Sequence, residues 1–167
     1  MLRIRPYKTT DAKTVLSWIP NEKVFYQWSA GTLGQYPPSL ADFSKLGELM
    51  QFTALEDKEI VGYFTLRNTG DTLDELRLGY IILHPEQRGK GYGQAMLRLG
   101  IQFAFAMYGA KRVSVGVFEN NPSALRCYRA LGFTEAASDF PSAYTILGET
   151  WPYINLCLEK AHCTDNI

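Results

Sequence analysis

The stretch Leu83-His-Pro-Glu-Gln-Arg-Gly-Lys-Gly-Tyr-Gly93 decides the fold of this chain. Residues rich in Leu, Ile and Tyr precede it, and a largely apolar run follows it. We therefore expect a strand over residues 75–83, a tight turn, and a helix over residues 91–108. Glycines let a ligand approach the main chain closely, and a helix start presents free N–H groups. The loop thus predicts a pyrophosphate site, to which Arg88 and Lys90 add positive charge.

Two common phosphate-binding loops do not fit this stretch, and an ordinary tight turn stays open as the simplest alternative. A P-loop requires Ser or Thr directly after its Gly-Lys pair, whereas Gly91 follows Lys90 here. A dinucleotide-binding loop requires a third glycine where this chain has Gln94. It also requires an acidic residue about twenty positions later, where Lys111 and Arg112 stand. Phosphate binding therefore remains an interpretation outside both of these folds.

A second informative segment reads Asn120-Asn-Pro-Ser-Ala-Leu-Arg-Cys-Tyr-Arg-Ala-Leu-Gly-Phe133. The early proline and the late glycine predict a short helix over residues 122–131. Asn121 can cap this helix, and Tyr128 lies about two turns along it on the same face. For Tyr128 taken alone, packing in the core with a satisfied hydroxyl is the favoured interpretation.

Together, the two segments resemble the GNAT superfamily of N-acetyltransferases. Residues 88–93 match that family's Gln/Arg-x-x-Gly-x-Gly/Ala loop, which binds the pyrophosphate of acetyl-CoA. The helix matches the family signature Asn-x-x-Ala-x-x-x-Tyr-x-x-x-Gly-Phe from Asn121 to Phe133. The clear resemblance covers residues 75–133. It implies an α/β (α+β) fold with a central, mixed, mostly antiparallel sheet that is splayed at the cofactor site and flanked by helices.

The resemblance also implies how the cosubstrate is held, with acetyl-CoA as that cosubstrate and no metal. The pantetheine arm is expected beside the main chain of the central strand, and the pyrophosphate is expected at the glycine loop. An amide near Ile82 is expected to stabilise charge on the carbonyl oxygen. The implied cofactor-binding residues are Ile82, Leu83, Arg88, Gly89, Lys90, Gly91, Tyr92, Gly93, Asn121 and Ala124.

The chemistry implied by the resemblance is direct transfer of acetyl to a primary amine in a ternary complex. Tyr128 matches the family's general acid, and a phenol with a pKa near 10 keeps its proton at neutral pH. Glu75 lies on the strand that carries the acidic base of several relatives. Two alternatives stay open, namely that Glu75 pairs with a neighbouring charge and that His84 is the base. Cys127 faces another side of the helix and is interpreted as a packing residue.

The acceptor pocket is expected in the aromatic-rich region before the central strand. Trp28, Tyr26 and Tyr36 are the candidate substrate-binding residues, because aromatic rings contact amines through apolar and cation–π interactions. An aromatic core is the commoner explanation for any one of these three. The expected acceptor is a small-molecule or peptide amine. Two other functions stay open: a CoA-binding sensory or interaction module without turnover, and a transferase for a longer acyl-CoA.

Composition limits the partners of the chain. It has 167 residues, of which 46% are hydrophobic, and its 17 basic and 17 acidic side chains cancel. Nucleic-acid-binding proteins normally carry a basic excess, so we expect no nucleic-acid partner. The chain shows neither a signal-peptide pattern nor an apolar run long enough to span a bilayer, so we expect a cytoplasmic protein without a membrane partner.

The domain organisation is expected to be simple. No linker, repeat or low-complexity tract divides the sequence. We expect a single N-acetyltransferase domain over residues 1–160 and a polar C-terminal tail over residues 161–167. Many members of the family are dimers, so a homodimer is one arrangement that the resemblance implies.

Overall fold

The computed structural model describes residues 1–163, in which helices cover both faces of one sheet. The strands are β1 Arg3–Pro6, β2 Met50–Glu56, β3 Glu59–Asn68, β4 Glu75–Leu83, β5 Arg112–Phe118, β6 Thr134–Glu135, β7 Ala143–Ile146 and β8 Glu149–Glu159. The α-helices are α1 Ala12–Leu16, α2 Glu22–Ser29, α3 Leu40–Phe43, α4 Tyr92–Gln102 and α5 Pro122–Ala130.

The strands form a mixed, mostly antiparallel sheet, which confirms the predicted fold class. Their order is β1-β2-β3-β4-β5-β8-β6, and β7 pairs with β8. The pairing of β4 with β5 is parallel, and the other pairings are antiparallel. A parallel pair needs a crossover connection, and here α4 with its extension supplies it.

Two hydrophobic cores lie on opposite faces of the sheet. On one face, α4 and α5 pack on alternate residues of β4 and β5, which include Leu76, Leu78, Val113, Val115 and Val117. On the other face, α1, α2 and α3 pack on Tyr63 and Ile82. Because both faces of β3 are covered, this strand contains a run of six buried residues, as expected of a strand in the middle of a layered fold, whereas β4 is continuously buried only over residues 76–78.

The sheet opens between β4 and β5. Residues 75–78 of β4 pair with residues 112–115 of β5, and the pairing of these two strands ends there, whereas β5 pairs with β8 along its whole length. Tyr63 of β3 lies opposite Ile82 and Thr65 lies opposite Gly79, so one β3 residue faces two β4 residues. This β-bulge bends β4, and it places Tyr80 at a left-handed φ of +47°, which is costly for a residue with a side chain.

The predicted bounds of β4 agree with the structure, whereas the bounds of other elements differ. The helix predicted over residues 91–108 is α-helical only to Gln102 and continues as a wider π-helical segment, Phe103–Tyr108. The sequence did not indicate β7. Of the predicted tail over residues 161–167, the last four residues lie outside the described residues. Within residues 1–163, no helix has both the length and the apolar character needed to cross a membrane.

A buried carboxylate ties the first turn of the helical region to the edge of the sheet. Asp11 accepts hydrogen bonds from Arg5 Nη1 at 2.7 Å and Nη2 at 2.9 Å, from the Lys8 amide at 2.9 Å, and from Thr53 Oγ1 at 2.9 Å. Burial alone raises the pKa of Asp11, but these hydrogen bonds together outweigh it and hold that pKa below its ordinary value. The ionised carboxylate therefore stabilises the fold.

We expect Asp11→Asn to lower the free energy of unfolding by about 2 kcal/mol at neutral pH, since the charged hydrogen bonds are lost. Because the folded-state pKa is lowered, this stabilisation is present above the unfolded pKa of about 3.9 and disappears as the pH falls through the folded value. Urea unfolding from neutral to acidic pH measures it. The exposed Asp57→Asn variant is the control. A stability difference that stays constant with pH would contradict the prediction.

Candidate active site

The opening between β4 and β5 forms a cleft of about 580 Å³. Its walls come from the second half of β4, the middle of β5, the glycine loop, α5 and one side of α2. Most of the residues that the sequence predicted are brought together here: Trp28, Ile82, Leu83, Arg88, Gly89, Gly91, Gly93, Asn121, Ala124 and Tyr128. Residues far apart in the sequence thus form one continuous surface.

The glycine loop makes an anion cradle from main-chain groups. Gly89 has a φ of +73° and Gly91 has a φ of +83°, which residues with side chains rarely adopt. Gly91 is the N-cap of α4, so the first amides of this helix have no acceptor inside it. Within residues 1–163, the amides of residues 89–94 donate neither to a main-chain carbonyl of a turn or loop nor to a side chain. They are available to a bound anion.

Side-chain charge adds to the cradle from two directions. Arg88 precedes the glycines and Arg126 lies on α5, and both line the cleft. The positive end of the α4 dipole points to the same place. Lys90 and Tyr92 do not line the cleft, and the Lys90 ammonium donates to Gln87 Oε1 at 3.3 Å. The cradle therefore fits a diphosphate that main-chain amides and two guanidinium groups neutralise.

The main chain of β4 faces the opening at Leu83. The His84 amide donates to the Val61 carbonyl at 2.9 Å, and hydrogen-bonded pairs alternate along an antiparallel ladder. The Leu83 pair with Gly62 is therefore the non-bonded type, so the N–H and C=O of Leu83 point into the gap. The main chain of Ile82 points towards β3 instead, although this residue lines the cleft. This corrects the expectation that an Ile82 amide faces the ligand.

Trp28 holds the bulge that opens the cleft. Its indole Nε1 donates to the Tyr80 carbonyl at 2.8 Å, and the Tyr80 hydroxyl shares a hydrogen bond with Thr32 Oγ1 at 2.6 Å. Of the three predicted acceptor-binding aromatics, Trp28 lines the cleft. Tyr26 packs instead on the cluster around Phe118, and Tyr36 packs against Phe25 with ring centroids 6.0 Å apart. Neither Tyr26 nor Tyr36 is among the residues that line the cleft.

Tyr128 presents a protonated phenol to the cleft. Its side chain is 6% exposed, and within residues 1–163 its hydroxyl has no protein hydrogen-bond partner. Every fully buried polar side-chain atom in these residues has a hydrogen-bond partner. Because the Tyr128 hydroxyl has none, it is not fully buried and remains accessible from the cleft. Burial raises the pKa of Tyr128 well above its ordinary value, and the neighbouring Cys127 and Tyr153 add to this. Tyr128 is therefore a proton donor across the whole neutral range.

Two neighbours of Tyr128 on α5 have clear structural roles. Asn121 Oδ1 accepts the Ala124 amide at 3.3 Å and so caps the helix, while the residue also lines the cleft. Both interpretations of Asn121 are compatible. Burial raises the pKa of the Cys127 thiol, although the nearby Arg98 opposes this. A neutral thiol is a poor nucleophile, which agrees with its interpretation as a packing residue.

Neither predicted base lies in the cleft. Glu75 begins β4 opposite Arg112, where the two strands are still paired, and it lines a second cavity of about 490 Å³. It stands roughly 25 Å along the strand from Leu83. His84 Nδ1 accepts the Glu86 amide at 3.1 Å and caps a 3₁₀ turn. Within residues 1–163, no group of three or more His, Cys, Asp or Glu side chains could hold a metal ion.

Several cleft residues were missed by sequence reasoning, among them Arg126 on α5, whose charge the sequence did not connect with the glycine loop. Gly116 lines the cleft from the middle of β5, and an isolated glycine within a strand is a recognisable signal of close approach. Tyr80 forms the bulge, and the sequence carries no signal for it, because a tyrosine rarely adopts a positive φ. Tertiary contacts alone select that conformation.

Comparisons with known proteins agree with this geometry. The model of the Acetyltransferase (GNAT) family matches residues 15–133. A mycothiol acetyltransferase of Corynebacterium glutamicum is 29% identical over 125 residues, which cover 72% of this chain and 41% of that protein. A spermine/spermidine N(1)-acetyltransferase of Bacillus subtilis is 44% identical over 46 residues, which cover 28% of this chain and 30% of that protein. The chain thus matches less than half the length of these curated relatives.

The fold has counterparts among solved structures. The spermidine N-acetyltransferase of Vibrio cholerae, crystallised in complex with CoA and spermine, superposes with a TM-score of 0.80. The alignment covers 96% of both chains at 17% sequence identity, so this likeness concerns the fold. The family model spans most of the chain and includes the cradle, the splayed strand and Tyr128. This chain belongs to the acetyltransferase (GNAT) family.

Proposed function

We propose that this chain transfers an acetyl group from acetyl-CoA to a primary amine within a ternary complex. The observation that carries the proposal is the cleft itself, which has a main-chain anion cradle at one end and the protonated phenol of Tyr128 further in. Membership of the family supports acetyl transfer. An amine acceptor is supported by similar proteins that are named for spermine and spermidine.

The residues of the cleft suit the parts of acetyl-CoA in order. The amides of residues 89–94 bind the pyrophosphate, with Arg88 and Arg126 adding charge. The main chain of Leu83 pairs with an amide of the pantetheine arm, as a strand edge pairs with an added strand. Asn121 contacts the same arm while it caps α5. Acetyl-CoA brings the thioester carbonyl that the amine attacks.

Tyr128 is the general acid that protonates the departing thiolate of CoA. As the C–N bond forms and the C–S bond breaks, Tyr128 donates its proton to the sulfur. The nitrogen releases one proton, which returns to the phenolate of Tyr128 through water. An alkyl amine with a pKa near 10.4 is almost entirely protonated at neutral pH, so the reactive form is scarce and its alignment contributes much of the rate.

The activity is tested with purified protein, acetyl-CoA and a panel of polyamines, amino sugars, amino acids and peptides. We expect release of free thiol that depends on one class of amine, together with CoA binding by calorimetry. CoA binding without thiol release from any amine would favour a binding module over an enzyme. Faster turnover with a longer acyl-CoA would favour the alternative donor. Absence of CoA binding would overturn the proposal.

A glycine substitution tests the cradle. We expect Gly91→Glu to weaken CoA binding by about a hundredfold or more, because its side chain brings bulk and negative charge to the pyrophosphate site. Gly109→Glu is the matched control, since Gly109 has a similar φ of +85° and open space around it, beyond the π-helical segment. Calorimetry on both variants gives the comparison. Equal losses of CoA affinity would mean that backbone strain, and not the cradle, explains the effect.

Removal of one hydroxyl tests the general acid. We expect Tyr128→Phe to lower kcat by about a hundredfold while the Kd for CoA stays within about twofold. The raised pKa of Tyr128 predicts no loss of activity from its ionisation up to a pH of about 10. Tyr108→Phe, at the end of the π-helical segment, is the control. Unchanged turnover of Tyr128→Phe would remove its assigned role.

A further inference from the structure

A second phenol lies beside the cleft on the opposite face of β5 from Tyr128. Val115 and Val117 of β5 face the core that contains Tyr128, so Gly116 between them faces the other way. A Cβ on Gly116 would lie 1.7 Å from the hydroxyl oxygen of Tyr153 on β8. That oxygen therefore occupies the position of the missing side chain, directly over a residue that lines the cleft.

A buried guanidinium fixes the Tyr153 hydroxyl. Arg77 Nη2 donates to the Tyr153 oxygen at 3.0 Å, and Arg77 Nη1 donates to Asn155 Oδ1 at 2.7 Å and to Ser114 Oγ at 3.2 Å. Arg77 is 5% exposed, and the Phe140 ring lies 3.9 Å from its Cζ atom. Three hydrogen bonds and the contact with Phe140 hold the long Arg77 side chain in one conformation, so Arg77 fixes the position of the Tyr153 hydroxyl.

The hydrogen-bonding capacity of Tyr153 is only partly used. Arginine only donates, so its bond to Tyr153 occupies one lone pair of the phenol oxygen and leaves the other. The positive charge of Arg77 disfavours an ammonium ion at this oxygen, whereas a neutral amine can still donate an N–H to it. The arrangement therefore discriminates in favour of the form of an amine that can react.

The two phenols approach β5 from its two faces: Tyr128 lines the cleft, and Tyr153 lies over Gly116, which also lines it. Charge on Tyr153 raises the pKa of Tyr128, as expected for neighbouring groups. At the carbonyl carbon, the nucleophile approaches and the leaving group departs in different directions. If Tyr128 donates its proton to the thioester sulfur from the α5 side of β5, the amine nitrogen approaches the carbonyl carbon from the side on which Tyr153 lies.

We propose that Tyr153 binds the acceptor amine, accepting an N–H hydrogen bond that directs the nitrogen lone pair at the thioester carbon, and that Arg77 positions Tyr153. The inference rests on the proposed acetyl transfer and names the acceptor side of the same cleft. In this assignment Tyr153 contacts the substrate, whereas Arg77 acts through Tyr153.

The test compares two tyrosines whose rings are neighbours. Tyr153→Phe removes the hydroxyl, and Tyr144→Phe is the control, with its ring centroid 5.1 Å from that of Tyr153. We expect Tyr153→Phe to lower kcat/KM for the amine by about tenfold or more, with the Kd for CoA close to wild type and with a lowered unfolding midpoint, because the buried Arg77 loses one hydrogen-bond partner. Tyr144→Phe should stay within about twofold. Equal kcat/KM for Tyr153→Phe and wild type would overturn the inference.

A double-mutant cycle tests the positioning role of Arg77. Arg77→Gln should lower kcat/KM for the amine in the wild-type background and add little in the Tyr153→Phe background, because the two residues act as a unit. Additive losses would overturn the positioning role. Arg77→Lys keeps the charge and one donor, so it should recover part of the kcat/KM, which a purely structural role would not predict.

The outcomes also separate this inference from the proposed function. Wild-type turnover that Tyr153→Phe leaves unchanged refutes the acceptor role alone. A wild-type protein that neither binds CoA nor releases thiol refutes both. If Arg77→Gln does not fold, the comparison of Tyr153→Phe with Tyr144→Phe still decides the matter.

Discussion

The bulge in β4 is the constraint on which the rest of the site depends. A strand in the middle of a sheet normally pairs on both sides, and β4 does so only over its first half. Tyr80 adopts a left-handed conformation there, which costs on the order of 1–3 kcal/mol. Trp28 offsets part of this cost by binding the Tyr80 carbonyl, and packing on both faces holds the strand in place. The opening leaves main-chain groups that a ligand can satisfy.

The two ends of the cleft offer a ligand different kinds of interaction. At the cradle, recognition relies on amides, a helix dipole and glycines that keep side chains away, so that the ligand reaches the main chain. The charged side chains that line it, Arg88 and Arg126, come from two elements and act at the rim. Further in, the useful groups are phenols, and burial keeps the proton on Tyr128. This division suits a ligand with an anionic end and a neutral reactive end.

The two faces of the sheet also divide the work. The face covered by α4 and α5 supplies the cradle and Tyr128, whereas the opposite face of the sheet carries Arg77, under Phe140, and Tyr153, in the cluster around Phe118. The splay between β4 and β5 joins these two faces. The likeness to a spermidine N-acetyltransferase at 17% identity concerns this architecture.

The parts of this protein that depend on short stretches of sequence could be predicted from the sequence alone. The glycine loop, the Asn121 cap and the bounds of β4 and β5 follow from residue types within a few positions, so the cradle and Tyr128 could be predicted. Glu75, Tyr26 and Tyr36 lie outside the cleft, and the sequence could not show this, because strand register and helix packing join residues distant in sequence. The bulge at Tyr80, the Trp28 hydrogen bond and the Arg77–Tyr153 pair were decided only by the tertiary structure. Each of these features depends on contacts between elements that are distant in the sequence, so the residue types of one segment do not predict it.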